Sequence, residues 1–195
     1  MLTIKSTQST FPLGDSAQWR GISELPIPDP VLKNWLLHTG SLTERLQSHC
    51  QDFRVEVLAQ SQQLATAEEY QQLDVPPGGQ CQNKWQVREV ILHGDNQPWV
   101  FARSVIPQVL CEQDFANLGD KPLGQLIFND NRFTRLPFQL MCMQPTNTWP
   151  KAYELPDTEQ LWGRRSVFRY QQLSMMVAEI FLPQAPAYRE WVNDH

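Results

Sequence analysis

Two charged side chains of opposite sign stand on strand faces that are otherwise apolar. The stretch Trp85 to Pro107, WQVREVILHGDNQPWVFARSVIP, has β-rich runs on either side of the turn formers Gly94-Asp95-Asn96-Gln97, which predicts an antiparallel hairpin. Alternation then puts Arg88 on the same face as Val90 and Leu92. Far along the chain, MMVAEIFLP places Glu179 on one face with Met175, Val177 and Phe181. A buried carboxylate is costly unless it is protonated, paired or bonded to a ligand. Arg88 and Glu179 could therefore form a structural ion pair, or they could stand at the two ends of a dry pocket that takes a small polar molecule. The spacing leaves both open.

Other chemistries have little support. Cys50, Cys81, Cys111 and Cys142 lie about thirty residues apart without a CxxC pair, which reads as free thiols rather than a zinc or disulfide framework. His38, His49, His93 and His195 form no HxH or HExxH pattern, so no metal is expected. Neither GxGxxG, a Walker A sequence nor GxSxG occurs, so no nucleotide cofactor or serine-hydrolase nucleophile is implied. A formal charge of −5 gives no basic footprint for nucleic acid. No run approaches the roughly 18 apolar residues that cross a bilayer, and Met1 to Thr10 lacks the apolar core of a signal peptide. The expectation is a soluble, cytoplasmic, monomeric protein.

The elements that would position Arg88 and Glu179 can be read in order. Residues 1–24 are polar and without period, an irregular lead-in to a single domain over 25–188 that is followed by a tail, 189–195. Asp29 and Pro30 predict a capped helix through Val31, Leu32, Trp35 and Leu36. Ser41-Leu42-Thr43-Glu44 has the form of a capping box and opens a second helix. Leu42, just inside that start, has an amide outside the intrahelical ladder, which suits either an ordinary helix start or an anion contact. Phe53, Val55, Val57 and Ala59 alternate as a half-buried strand. A Thr-x-x-Glu box opens a short helix at Thr66, and Val109 to Leu118 fits another that ends at Gly119.

Pro122-Leu123-Gly124 predicts a turn whose backbone could approach a ligand, because Gly124 has no side chain. Phe138, Leu140 and Cys142 suit a strand, while Gln144 to Glu159, broken by prolines, suits an irregular excursion. In Leu161-Trp162-Gly163-Arg164-Arg165 the paired arginines fit a structural role better than an anion site. Val167 to Tyr170 and Met175 to Leu182 predict a last hairpin, and a short helix is expected around Arg189 to Val192. The sum is an α+β domain, about six strands in an antiparallel sheet with helices covering one face.

The segments DPVLKNWLLHTGSLTERL, VREVILHGDNQPWVFARSVIP, LGDKPLGQLIF, LWGRRSVFRY and AEIFLP, in this order from Asp29 to Pro186, are similar to the chorismate pyruvate-lyase family of ubiquinone biosynthesis. The chain departs from shorter bacterial members in its lead-in, in the Gln144 to Glu159 excursion and in its tail. The resemblance implies a chorismate lyase-like fold and a cofactor-free lyase that converts chorismate to 4-hydroxybenzoate and pyruvate. It also implies substrate contacts at Arg88 and Glu179 and main-chain contacts at Leu42 and Leu123, with Arg88 and Glu179 as the catalytic pair. Leucine stands at 42 where some members have methionine, an exchange that a backbone contact tolerates. The competing reading is a non-catalytic binding module: the same fold serves as an effector-sensing domain in some transcription regulators, where a fused helix-turn-helix would be expected.

Overall fold

The computed structural model of the chain describes residues 18–73, 85–113, 123–128, 130–143 and 160–189. In chain order the elements are β1 (Arg20–Gly21), a 3-10 turn (Ile22–Glu24), α1 (Pro30–Leu36), α2 (Leu42–Gln47), β2 (Phe53–Gln63), α3 (Ala67–Gln72), β3 (Trp85–Gly94) and β4 (Gln97–Pro107). They continue with α4 (Gln108–Gln113), α5 (Leu123–Phe128), β5 (Thr134–Arg135), β6 (Gln139–Met143), β7 (Leu161–Tyr170), β8 (Leu173–Phe181) and α6 (Pro186–Arg189). Among the described residues the strands join one antiparallel sheet in the order β1-β6-β7-β8-β4-β3-β2, with β5 also pairing β7. The α+β architecture read from the sequence is thus present. Its six longer strands are the expected ones, and the two additional strands, β1 and β5, have two residues each.

The central hairpin is set by its turn. Asp95 and Asn96 have φ of 49° and 63°, the left-handed pair that a two-residue hairpin loop needs and that short polar side chains tolerate. Asp95 Oδ1 also accepts the backbone N–H groups of Gln51 and Asp52, which ties the hairpin tip to the chain entering β2. Gly94 is required for packing, since a Cβ there would lie 2.1 Å from the Trp99 ring.

Helices gather mainly on one sheet face because their apolar stripes point there. Leu32, Trp35 and Leu36 of α1, spaced i, i+3, i+4, pack with Leu42 and Leu46 of α2 against Leu92, Val100 and Phe181 of the sheet. Burying each such leucine contributes about 2 kcal/mol. Asp29 accepts from Leu32 N–H at 2.7 Å to cap α1. On the other face Leu73, and Tyr70 of α3, pack with Trp85, Val87, Val105 and Met176. The capping box at Thr66 is complete. At Ser41 the half in which its Oγ accepts from Glu44 N–H is formed.

Some local expectations shift. Leu123 is not in a turn but is the first residue of α5, as suits a position just after a proline. β1 lies inside the stretch expected to be an irregular lead-in, of which residues 1–17 lie outside the described residues. A short helix, α6, runs over Pro186–Arg189, while the rest of the helix expected around Arg189 to Val192 lies outside the described residues; β7 is one continuous strand from Leu161. Cys50, Cys111 and Cys142 are free thiols. Cys81, the later part of the Val109 to Leu118 helix and the Gln144 to Glu159 excursion lie outside the described residues. Among the described residues no helix is long and apolar enough to cross a membrane.

Candidate active site

The four central strands carry two neighbouring rows of side chains on the helix-covered face. The antiparallel register pairs Arg88 with Ser104, Ser104 with Val177 and Val177 with Ser166, so these four form one row across β3, β4, β8 and β7. The next row is Val90, Ala102, Glu179 and Arg164. All eight line one cavity, with about 690 Å³ of space including its mouth. Its remaining walls are Leu42 and Thr43 of α2, Leu123, Gly124, Ile127 and Phe128 of α5, and Val55, Leu92, Arg135, Phe138 and Phe168.

The structure therefore brings Arg88, Glu179, Leu42 and Leu123 to a single chamber. Arg88 and Glu179 stand two strands and one row apart, which puts their Cα atoms about 12 Å from each other. A six-membered ring fits in such a span. Arg88, Leu42 and Leu123 are buried, at 2%, 2% and 8% exposure, so the chamber is shielded where they line it. Leu42 and Leu123 are each the first residue of their helix. These two helix starts meet at the wall: a Cβ on Gly124 would come within 3.1 Å of Thr43 Oγ1 and 3.7 Å of Ser41 Oγ. Amides near a helix start have no intrahelical acceptor, so two converging starts are a favourable surround for an anion.

Glu179 has an ion-pair partner, and it is Arg164 rather than Arg88. Arg164 Nε donates to Glu179 Oε2 at 2.6 Å. The same guanidinium donates from Nη1 to the carbonyls of Trp35, Leu36 and His38 at 3.2, 3.2 and 2.8 Å. These carbonyls belong to the C-terminal end of α1, where acceptors are left over and a cation is favoured. Arg164 is thus held by the helix above while it aims Glu179 from the sheet below. Its neighbour Arg165 faces the other side, bonding Gln139 at 2.7 Å and pairing with Glu68 at 2.9 Å.

The expected structural role for the arginine pair thus fits Arg165, while Arg164 belongs to the chamber. Alternation and the pairing of β7 with β8 were the available signal. Arg135 is a second cation without prior notice, since its strand is too short to show a period. Its guanidinium lies 4.4 Å from the centroid of Phe138 and 5.5 Å from that of Phe128, and Arg164 sits 4.8 Å from the same Phe138 ring.

Among the described residues three guanidiniums, of Arg88, Arg135 and Arg164, and the Glu179 carboxylate line the chamber. Their influence reaches neighbouring groups. Burial, and then the charge of Arg164, lower the pKa of Arg135. Burial, and then Arg45, Arg164 and Arg135, likewise lower that of His38. An anion entering the chamber would relieve this repulsion.

A model of the chorismate lyase family matches residues 13–192. The chain belongs to the chorismate lyase family. A probable chorismate pyruvate-lyase of Pseudoalteromonas atlantica is 61% identical over 186 residues, which are 95% of this chain and 96% of the relative. One of Pseudomonas aeruginosa is 42% identical over 86% of this chain and 92% of its own length. The fold of this chain is also found in proteins of other kinds. The effector domain of PhnF from Mycobacterium smegmatis superposes with a TM-score of 0.59 over 75% of this chain and 90% of that domain, at 13% identity. That likeness concerns the fold alone.

Proposed function

We propose that this protein is a chorismate pyruvate-lyase, cleaving chorismate to 4-hydroxybenzoate and pyruvate without a cofactor, as a cytoplasmic monomer at the start of ubiquinone synthesis. The observation that carries the reading is the chamber itself: Arg88, buried, and Glu179, partly exposed, line one cavity with room for a ring between them. Family membership over nearly the whole chain supports it.

In this reading Arg88 holds the ring carboxylate through a charge-assisted, bidentate contact. The amides at the starts of α2 and α5, near Leu42 and Leu123, complete the carboxylate site. Glu179, aimed by Arg164, accepts a hydrogen bond from the C4 hydroxyl at the far end of the ring. The reaction breaks the C3–O bond of the enolpyruvyl ether, whose electron pair leaves with the oxygen. The hydrogen on C4 departs as a proton, the ring becomes aromatic, and the released enol takes up a proton at its terminal carbon to become pyruvate. Every atom of chorismate is then accounted for in the two products. Aromatisation supplies the driving force, and Glu179 is placed to help move the proton.

A chamber that fits the flat aromatic product also retains it, so product release is expected to limit turnover. The direct test is incubation of the purified protein with chorismate, following 4-hydroxybenzoate by absorbance and pyruvate by a coupled assay. Equimolar appearance of both supports the reading, and 4-hydroxybenzoate binding without turnover would leave a sensing module instead. A single-turnover rate that exceeds the steady-state rate identifies release as the slow step; equal rates would remove that part.

A further inference from the structure

The ring carboxylate and the C4 hydroxyl use only two of the polar positions that the chamber offers. Arg135 and Ser166, on the side where β5 pairs with β7, remain. Arg135 stands opposite Phe168 in the β5–β7 register, and Phe168 lies two residues beyond Ser166 on the same face of β7, so both line the same corner of the cavity.

Two independent observations mark this corner as built for a ligand. Arg135 rests on the rings of Phe128 and Phe138, and no described carboxylate forms an ion pair with it; burial and the charge of Arg164 disfavour its cation and outweigh the more distant Glu179. Ser166 is 4% exposed, and its Oγ is buried without a hydrogen-bond partner. A buried hydroxyl left unbonded costs free energy that a bound acceptor would return. A cation in no ion pair among the described residues and a buried hydroxyl without a hydrogen-bond partner therefore line one cavity.

We infer that Arg135 and Ser166 form a second anion subsite, which takes the carboxylate of the enolpyruvyl side chain while Arg88 takes that of the ring. The inference rests on the proposed function. It gives each of the two carboxylates of chorismate a guanidinium of its own on the cavity wall. The aromatic product carries one carboxylate, so Arg135 and Ser166 favour substrate over product and bear on pyruvate only until it leaves. Arg135 binds by charge and by its planar fork, and the Ser166 hydroxyl donates to the carboxylate or to the ether oxygen beside it.

The test uses two ligands with the full-length protein: 4-hydroxybenzoate, with one carboxylate, and 3-carboxymethoxy-4-hydroxybenzoate, which adds a second carboxylate on an ether at the position of the enolpyruvyl group. Arg135→Met keeps an aliphatic stem between Phe128 and Phe138. It should weaken binding of the dianion and raise KM for chorismate by about 10- to 100-fold, with 4-hydroxybenzoate affinity unchanged. Arg135→Lys should recover part of the loss, and Ser166→Ala should show the same selectivity at roughly threefold to tenfold.

A merely structural role would weaken both ligands together, and that result, or no change in either, overturns the subsite. Should the Met variant fail to fold, the wild type still decides: the dianion should shield Arg135 from phenylglyoxal, read by mass spectrometry, while 4-hydroxybenzoate leaves the rate unaltered. Equal shielding by both ligands also overturns it. A wild type that does not turn chorismate over would instead sink the proposed function, so the two failures can be told apart.

Discussion

The two faces of this sheet bury arginine and glutamate side by side, yet they use them differently. On the face away from the cavity, Arg103 donates to Glu69 at 2.8 Å and to Glu89 at 2.8 Å, and all three side chains are almost fully buried. Arg165 and Glu68 extend that side. Acids there meet bases at contact distance. On the cavity face Arg164 and Glu179 are paired, and Arg88 and Arg135 line the same open space. The difference teaches that a buried ion pair is not the mark of a site. Several charged side chains converging on one cavity are the better sign.

The largest effect expected is on the closed face. Arg103→Met leaves the Glu69 and Glu89 carboxylates buried without their cation, and should cost about 3–5 kcal/mol in stability. Denaturant unfolding measures the loss, and kcat per folded molecule should stay near the wild-type value. A comparable fall in kcat would erase the division between the faces.

Next comes Arg88→Ala, which should reduce kcat/KM for chorismate by roughly 100-fold, since a charge-assisted pair is removed. Binding of 4-hydroxybenzoate should fall with it, because the ring carboxylate survives in the product. Arg88→Lys should also be poor, as a point charge does not replace a planar fork. Glu179→Gln sharpens the cavity side further. A proton-transfer role predicts a fall in kcat of about 100-fold with 4-hydroxybenzoate still bound; normal turnover would reduce Glu179 to a binding group.

The smallest effect is on acid stability. Burial alone would raise the Glu69 carboxyl, but the hydrogen bonds and charge of Arg103 outweigh it and hold it below its ordinary value of 4.5. Its contribution to stability is therefore complete above that value and is lost as the pH falls through the lowered folded one. Thermal melts taken downward from pH 5 should show a loss in the wild type that Glu69→Gln shares only in part.

Much of this was legible in the chain because strands announce themselves by alternation. Arg88 with Val90 and Leu92, and Glu179 with Val177, could be assigned to apolar faces before any neighbour was known. Residue spacing gives no strand order, however, and the order decides partners. Only when β7 lies beside β8 does Arg164 stand opposite Glu179, and so the expected choice between an Arg88–Glu179 bridge and a pocket omitted the cation that in fact holds the acid. Arg135 was illegible for a different reason. A two-residue strand has no period, and its role follows from the rings of Phe128 and Phe138, which the fold brings to it. Leu123 was read as a turn because Pro-Leu-Gly suits one locally; a proline just before a helix suits it equally well.

The outer strands have a consequence of their own. At one rim β1 has only two residues, and at the other β2 changes register between Val57 and Ala59 and carries Arg54 and Glu56. A stub and a kinked, charged border are poor templates for a foreign strand. Among the described residues both margins of the sheet therefore disfavour zipping onto a strand of a neighbouring chain.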